Sequence, residues 1–247
     1  MKITHIHIER FRGFQNEDFE VGSLLTAIAG QNGTQKSTLL GIITQTFTLK
    51  TEDSMRVEKP LCGGSYISAF KDKFRLSPTF DKPRGHEWTS SFAAGMDDFT
   101  VESIKRTGDP NVRFWKKGAR QEGDGYISFP TIFLSLKRLV PVAEEAKIIT
   151  DDTLLTQEEL NEFKQLHNKI LRAQTPISSA TKITSKNKQS IGVSTELYDW
   201  NQNSMGQDNL GKIILALFSF KRLHDKYPRQ YKGGILAIDE MDATMYP

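Results

Sequence analysis

Cysteine is nearly absent: Cys62 is the only one in 247 residues. A single thiol excludes an internal disulfide and a cysteine-based zinc cluster, and it suits a reducing compartment. Long apolar runs are missing as well. None approaches the ~20 residues that cross a bilayer, and Met1-Lys2-Ile3-Thr4-His5-Ile6 carries no secretory core. The expectation is a cytoplasmic protein with no membrane association. An excess of one charge is also lacking. The 33 Lys and Arg against 30 Asp and Glu leave a net +3, which permits contact with nucleic acid without demanding it. No internal repeat is evident, and the length suits one large domain or one domain with a sizeable insertion.

What is present is a succession of alternating and helical patterns. Residues 2–11 alternate as a strand, with Ile3, His5 and His7 on one side and Lys2, Ile6 and Ile8 on the other. Phe11-Arg12-Gly13-Phe14 reads as a turn, and Asp18 to Val21 as a short hairpin partner. Ser23–Ala29 is an apolar run of strand length, followed by a glycine-containing loop and then by Leu39, Leu40, Ile42 and Ile43 in helical array. From about 50 to 130 the texture predicts antiparallel β structure, with strands at Phe99–Lys105 and Val112–Lys117 and disorder near Glu52–Lys59. Thr156-Gln157-Glu158-Glu159 is a capping box before a helix carrying Leu160, Phe163, His167, Ile170 and Leu171. Residues 177–192 read as a flexible linker. A second amphipathic helix, placed at 209–226, carries Leu210, Ile213, Ile214, Leu217, Phe218 and Leu223.

The loop Gly30-Gln31-Asn32-Gly33-Thr34-Gln35-Lys36-Ser37-Thr38 nearly matches G-x-x-x-x-G-K-[ST] in the strand–loop–helix context such a motif requires. Glycine lets the backbone bend close to phosphates, successive N–H groups turn inward, and the helix behind adds its positive end. Asn32, Gly33, Thr34 and Gln35 would line the phosphates. Lys36 would reach the β- and γ-phosphates, Ser37 would bind Mg²⁺, and Thr38 would support the loop near the α-phosphate. Gln35 stands where the second motif glycine belongs, which favours ATP binding over rapid hydrolysis. An incidental Lys-Ser pair behind a glycine turn is the bland alternative.

Ile235–Ile238 is an apolar strand ending in Asp239-Glu240. Asp239 would emerge at the carboxyl edge, where open α/β sheets bind ligands, and hold Mg²⁺ through its hydration shell; Glu240 would polarise water. Alone, two acids at a strand end are a solvated terminus; paired with the loop they form an ATPase pattern. Asn203-Ser204-Met205-Gly206-Gln207 offers a hydroxyl and open amides at a helix start, which in isolation is an ordinary N-cap.

The order of phosphate loop, long insertion, S-x-G-Q before a helix, and a strand ending in Asp-Glu resembles ABC-type ATPases of the SMC/RecF class. The segments near 1–45, 131–142 and 198–247 carry the likeness. The resemblance implies an α/β P-loop head with an antiparallel β subdomain and a helical insertion. It divides the chain into an ATP-binding lobe at 1–140, the insertion at 141–226, and a returning strand at 227–247. It also implies that Arg12 lies near the nucleotide, and that Ser204, Gly206 and Gln207 touch the γ-phosphate of a second subunit. ATP would then join homo-oligomeric heads, as a sandwich dimer or larger assembly. Such ATPases continue beyond the Asp-Glu strand with a helix, a strand and a switch histidine. With the sequence given ending at Pro247, that lobe is expected from a longer chain or another polypeptide. Within the class, Gly30–Ser37, Phe74-Arg75-Leu76-Ser77-Pro78, Leu134–Leu139 and Met205–Lys212 look most like Septu-type antiphage ATPases, including retron-coupled ones. That likeness implies an HNH-nuclease partner and action on nucleic acid, with a DNA-repair ATPase of the RecF/SMC kind as the alternative.

Other features carry less. His5 and His7 flank Ile6, but such a pair is more often surface or core than a metal site. Trp115-Lys116-Lys117 and Phe70–Arg75 interleave aromatics with bases, a format that stacks on nucleic acid, although solvated charges on strands look the same and are favoured. Lys182, Lys186 and Lys188 are equally ambiguous. No acidic or histidine cluster outside the loop and strand supports a self-contained nuclease.

Overall fold

The computed structural model describes residues 1–67, 69–93, 95–105, 108, 112–118, 124–140, 144–151, 154–172, 174–185 and 189–241. Two compact units divide the chain. One comprises Met1–Arg56, Ile67–Phe133 and Lys232–Ala237; the other comprises Val57–Tyr66, Leu134–Tyr231 and the residues from Ile238.

The first unit contains β1 (Ile3–Phe11), β2 (Phe14–Glu20), α1 (Lys36–Gln45), β3 (Phe47–Thr48), α2 (Phe70–Lys73), β4 (Glu87–Phe92), β5 (Phe99–Lys105), β6 (Val112–Lys116), β7 (Ile127–Ser128) and most of β8 (Thr131–Leu134). An antiparallel sheet runs in the order β2-β1-β4-β5-β6. Ile6, Ile8, Phe11, Trp88, Val101 and Phe114 on the sheet pack with Leu39 and Ile42 of α1. Each such side chain contributes roughly 1.5–3 kcal/mol on burial. The β1–β4 register slips between Ile3 and His5. This irregularity breaks the strict alternation, so Ile3 is buried with Ile6 and Ile8 instead of lying beside His5 and His7.

The second unit contains β9 (Ile149–Asp151), α3 (Gln157–Leu171), β10 (Ser179–Thr184), β11 (Gln189–Ser194) and α4 (Met205–Lys226). Its antiparallel sheet has the order β11-β10-β9. The last strand, β12 (Ile235–Ile238), runs parallel to β8: Ile235 N–H donates to the Pro130 carbonyl at 3.0 Å, and Asp239 N–H to the Leu134 carbonyl at 3.0 Å.

Several sequence expectations need correction. Ser23–Ala29 forms no strand; Leu24 is 99% and Leu25 86% exposed. Apolar composition alone does not make a strand, which requires a ladder of backbone partners, and no described segment pairs with this one. It borders a cavity of about 280 Å³ lined also by Ile43, Leu236 and Ala237. The expected linker at 177–192 is instead the β10–β11 hairpin, pairing Ser179 with Ser194 through to Thr184 with Gln189. Lys186 and Lys188 lie outside the described residues, whereas Lys182 lies 3.6 Å from Asp151. Expected disorder near Glu52–Lys59 gives way to a 3-10 turn, Ser54–Val57, closed by Met55 N–H donating to the Asp53 carboxylate at 2.9 Å. The second helix begins at Met205, one turn earlier than its apolar pattern suggests. No described helix is long and apolar enough to cross a membrane.

Candidate functional site

In the first unit the loop 30–35 turns on Gly33, at φ 85, and α1 starts at Lys36. The Lys36 ammonium donates to the carbonyls of Gly30 at 2.9 Å and Gln31 at 3.0 Å, folding the loop around its own cation. The Thr34 hydroxyl closes the same turn onto the Gln31 carbonyl at 2.8 Å. Asn32, Gly33 and Thr34 are exposed, Ser37 is half-buried and Thr38 is buried. No acidic residue occupies the first turn of α1, so the helix itself supplies no acid to offset the positive end of its dipole. These residues fit a polyphosphate: a lysine gathered by backbone carbonyls can be handed to phosphate oxygens with little rearrangement.

Gln35, the residue at the missing-glycine position, has φ 64 and ψ 25. The loop therefore does adopt the left-handed turn that glycine normally supplies, and a side chain there costs roughly 1–2 kcal/mol. Part of that cost is offset locally. The Gln35 Oε1 accepts from Gly13 N–H at 3.3 Å. A Cβ on Gly13 would lie 2.1 Å from Gln35 Nε2. Glycine at 13 and glutamine at 35 are thus one arrangement, linking the Phe11–Phe14 turn to the phosphate loop.

Arg12 is also left-handed, at φ 54. Its Nη2 donates to the Arg75 carbonyl at 2.7 Å, its Nη1 reaches Thr38 Oγ1 at 3.5 Å, and its Nε lies 3.6 Å from Asp81 Oδ1. The structure therefore brings Arg12, Gln35, Lys36 and Thr38 together around the start of α1. Asp81, His86 and Ser103 complete this cluster and were not identified from the sequence. The Asp81 carboxylate accepts from Ser77 N–H at 2.6 Å and from His86 Nε2 at 2.9 Å, and His86 Nδ1 meets Ser103 Oγ at 2.9 Å. They lie some 70 residues or more from Arg12 in sequence, in segments without a motif.

The second unit holds the remaining candidates. Ser204 is the N-cap of α4: its hydroxyl accepts from Gln207 N–H at 3.3 Å, while Gln207 Oε1 accepts from Ser204 N–H at 2.9 Å. Gln207 Nε2 donates to Tyr198 Oη at 2.6 Å, and Gly206 lies in the first helical turn. Asp239 is buried at the end of β12, and Glu240 follows at φ 52. Arg138, only 2% exposed, secures that turn. It donates to the Glu240 carbonyl at 2.9 Å, the Leu134 carbonyl at 3.1 Å and Asn209 Oδ1 at 2.6 Å. Burial lowers the pKa of this guanidinium, while Asp239 and Glu240 pull it back up. Its role was not evident in the sequence, where Leu134–Leu139 carried only family likeness.

His5 Nε2 and His7 Nδ1 both approach Asp18 Oδ1, at 2.6 and 2.9 Å. The hydrogen bond to Asp18 raises the His7 pKa despite some loss of solvation. Among the described residues no group of three or more His, Cys, Asp or Glu side chains is placed to hold a metal ion. A divalent ion at the loop would therefore have to take most of its oxygens from the nucleotide and from water, as Mg²⁺ commonly does. In the Phe70–Arg75 patch, Lys73 is not a solvated charge. It donates to the Thr44 carbonyl at 3.1 Å near the end of α1, and burial pushes its pKa down to about 7.

A family model described as an AAA domain matches residues 5–230, taking in the loop and the S-x-G-Q segment and stopping short of β12. No curated protein matches the chain. With more than nine-tenths of its length covered and a phosphate loop built as described, this chain belongs to the AAA domain family, within the general class of P-loop ATPases.

Proposed function

We propose that the chain binds ATP with Mg²⁺ through Asn32, Gly33, Thr34, Gln35, Lys36, Ser37 and Thr38, flanked by Arg12. The observation that carries this reading is Lys36 held by the Gly30 and Gln31 carbonyls at the first residue of α1. Bound nucleotide would replace those carbonyls with phosphate oxygens, and the ion would supply Lewis acidity to the phosphates. Asp239 and Glu240 are assigned the metal-holding and water-orienting roles from their sequence pattern. Ser204, Gly206 and Gln207 are assigned to a second subunit's nucleotide, so that ATP joins copies of the chain. The resemblance to Septu-type ATPases supports a role for this assembly in antiphage defence beside an HNH nuclease, acting on nucleic acid. Titration of the purified protein with Mg-ATP, with phosphate release and oligomeric state followed together, tests the reading. Absence of ATP binding defeats it, and ATP binding without assembly removes the trans role of Ser204. Glu240→Gln should retain ATP and stop phosphate release.

A second reading is a nucleotide-gated assembly module with negligible turnover. It is favoured by Gln35, whose side chain is committed to the Gly13 turn. ATP-dependent assembly without measurable phosphate release would select it over the enzyme.

A further inference from the structure

Arg12 has five N–H donors in a fixed planar fork. Two donate to Arg75 and Thr38, and Nε faces Asp81. Among the described residues this leaves two donors for an anion, on a guanidinium that touches the first turn of α1. A long side chain usually loses most of its binding advantage to rotamer freedom, so what fixes the fork matters. The Arg75 carbonyl holds Nη2 at 2.7 Å, and Asp81 is the one charged partner, an ion pair at 3.6 Å from Nε that is itself immobilised. One oxygen is tied to Ser77 N–H and the other to the imidazole of His86. His86 is buried between the rings of Phe11, at 4.6 Å, and Phe114, at 5.6 Å. Behind it, Ser103 on β5 is fully buried and also accepts from His86 N–H at 3.2 Å.

The protonation pattern is determined by these partners. Burial would raise the Asp81 carboxyl, but Ser77 N–H, His86 and Arg12 together bring it below the usual carboxylate range. Burial lowers the His86 pKa, against the pull of Asp81. The ionised carboxylate accepts only, so a neutral His86 carries its proton on Nε2 and leaves Nδ1 to accept from the Ser103 hydroxyl, whose single proton is shared between that nitrogen at 2.9 Å and the Lys82 carbonyl at 3.3 Å. Ser, His and Asp in this order have the connectivity of a nucleophilic triad. With Ser103 fully buried, the hydroxyl cannot meet a substrate, and the relay ends instead at Arg12.

We infer that Asp81, backed by His86 and Ser103, is a positioning residue that holds the Arg12 guanidinium in place for the phosphates of a nucleotide bound at the loop. This inference rests on the nucleotide reading of the loop, and its test separates the two. The Kd for Mg-ATP is measured for the parent protein, Asp81→Asn, Arg12→Ala and the double variant, alongside thermal unfolding. Asp81→Asn should weaken binding roughly three- to tenfold, and Arg12→Ala at least as much. The double variant should bind no worse than Arg12→Ala alone, because the first effect acts through the second residue. Losses that multiply in the double variant, or an unchanged Kd in Asp81→Asn, overturn the positioning role while leaving the loop assignment intact. If Asp81→Asn does not fold, Asp81→Glu, which keeps the charge but displaces it, takes its place in the cycle, and the same two outcomes support or overturn the role. A parent protein that does not bind Mg-ATP overturns both readings together.

Discussion

The two helices that carry the candidate motifs begin in opposite ways. At α4 a Ser204–Gln207 capping box satisfies the first turn from within, and Asp208 adds an acid beside it. At α1 the N-cap is Gln35, left-handed and without a side-chain capping bond, and the first turn has no acid. A capped N-terminus has its first turn satisfied within the chain, whereas an uncapped one behind a glycine turn presents its amides and dipole to an incoming anion. The first arrangement contributes to folding whether or not a second subunit's nucleotide meets it, and the second leaves its first turn without a side-chain cap at some cost in stability.

That contrast can be broken at either end. Lys36→Ala should have the largest effect, removing a charge-assisted contact of about 3 kcal/mol, or roughly a hundredfold in ATP affinity; equilibrium titration reads it, and an unchanged Kd would dissociate α1 from nucleotide. Acid should act next, and on the other unit. His167 of α3, buried in the unit that contains α4, has its pKa pushed down to about 4 by burial. Its folded pKa lies below the unfolded value, so stability is full above about pH 6.5 and falls as pH drops toward about 4, by up to roughly 3 kcal/mol. Urea midpoints across that window should show the slope, and His167→Leu should flatten it. Gly13→Ala should cost roughly 1–1.5 kcal/mol, because the Gln35 amide end can swing aside and what is lost is its hydrogen bond to Gly13 N–H, and a second change, Gln35→Gly, should restore most of that loss in thermal unfolding. Ser204→Ala should be the mildest, about 1 kcal/mol of stability with the Kd of the isolated chain for ATP unchanged; a matching fall in affinity would mean that both helix starts serve the same chain's nucleotide.

Legibility in the sequence followed the locality of the physics. The phosphate loop and the Thr156–Glu159 capping box lie within a few residues each, and their spacing predicted them; at Ser204 the sequence predicted only an N-cap, without the reciprocal bond from Gln207. Strand β5 was placed at Phe99–Lys105 because alternation is equally local. The β10–β11 hairpin was missed because its strands are rich in Ser, Thr, Lys and Gly. Gly192 is required there by close approach, since a Cβ would come within 2.4 Å of Ile183 and 2.6 Å of Trp200. Ser23–Ala29 erred in the other direction, because its composition suits a strand and the partner on which a strand depends is absent from the described residues. Asp81 and His86 are close in sequence, but the contacts that give them a place at the loop, to Arg12 and Ser103, join distant segments, as do those of Arg138 to Asn209 and Glu240, and no short window records them.

The bare Ser23–Ala29 stretch has a measurable consequence in solution. No described segment pairs with its backbone, so its amides should take up deuterium within seconds while those of Ile6 and Ile8 in β1 stay protected far longer. Two leucines standing almost wholly in solvent beside unpaired backbone also make a ready template for a strand from another molecule. Concentrated solutions of this chain should therefore stick to themselves there first, and a lysine in place of Leu24 should keep them clear.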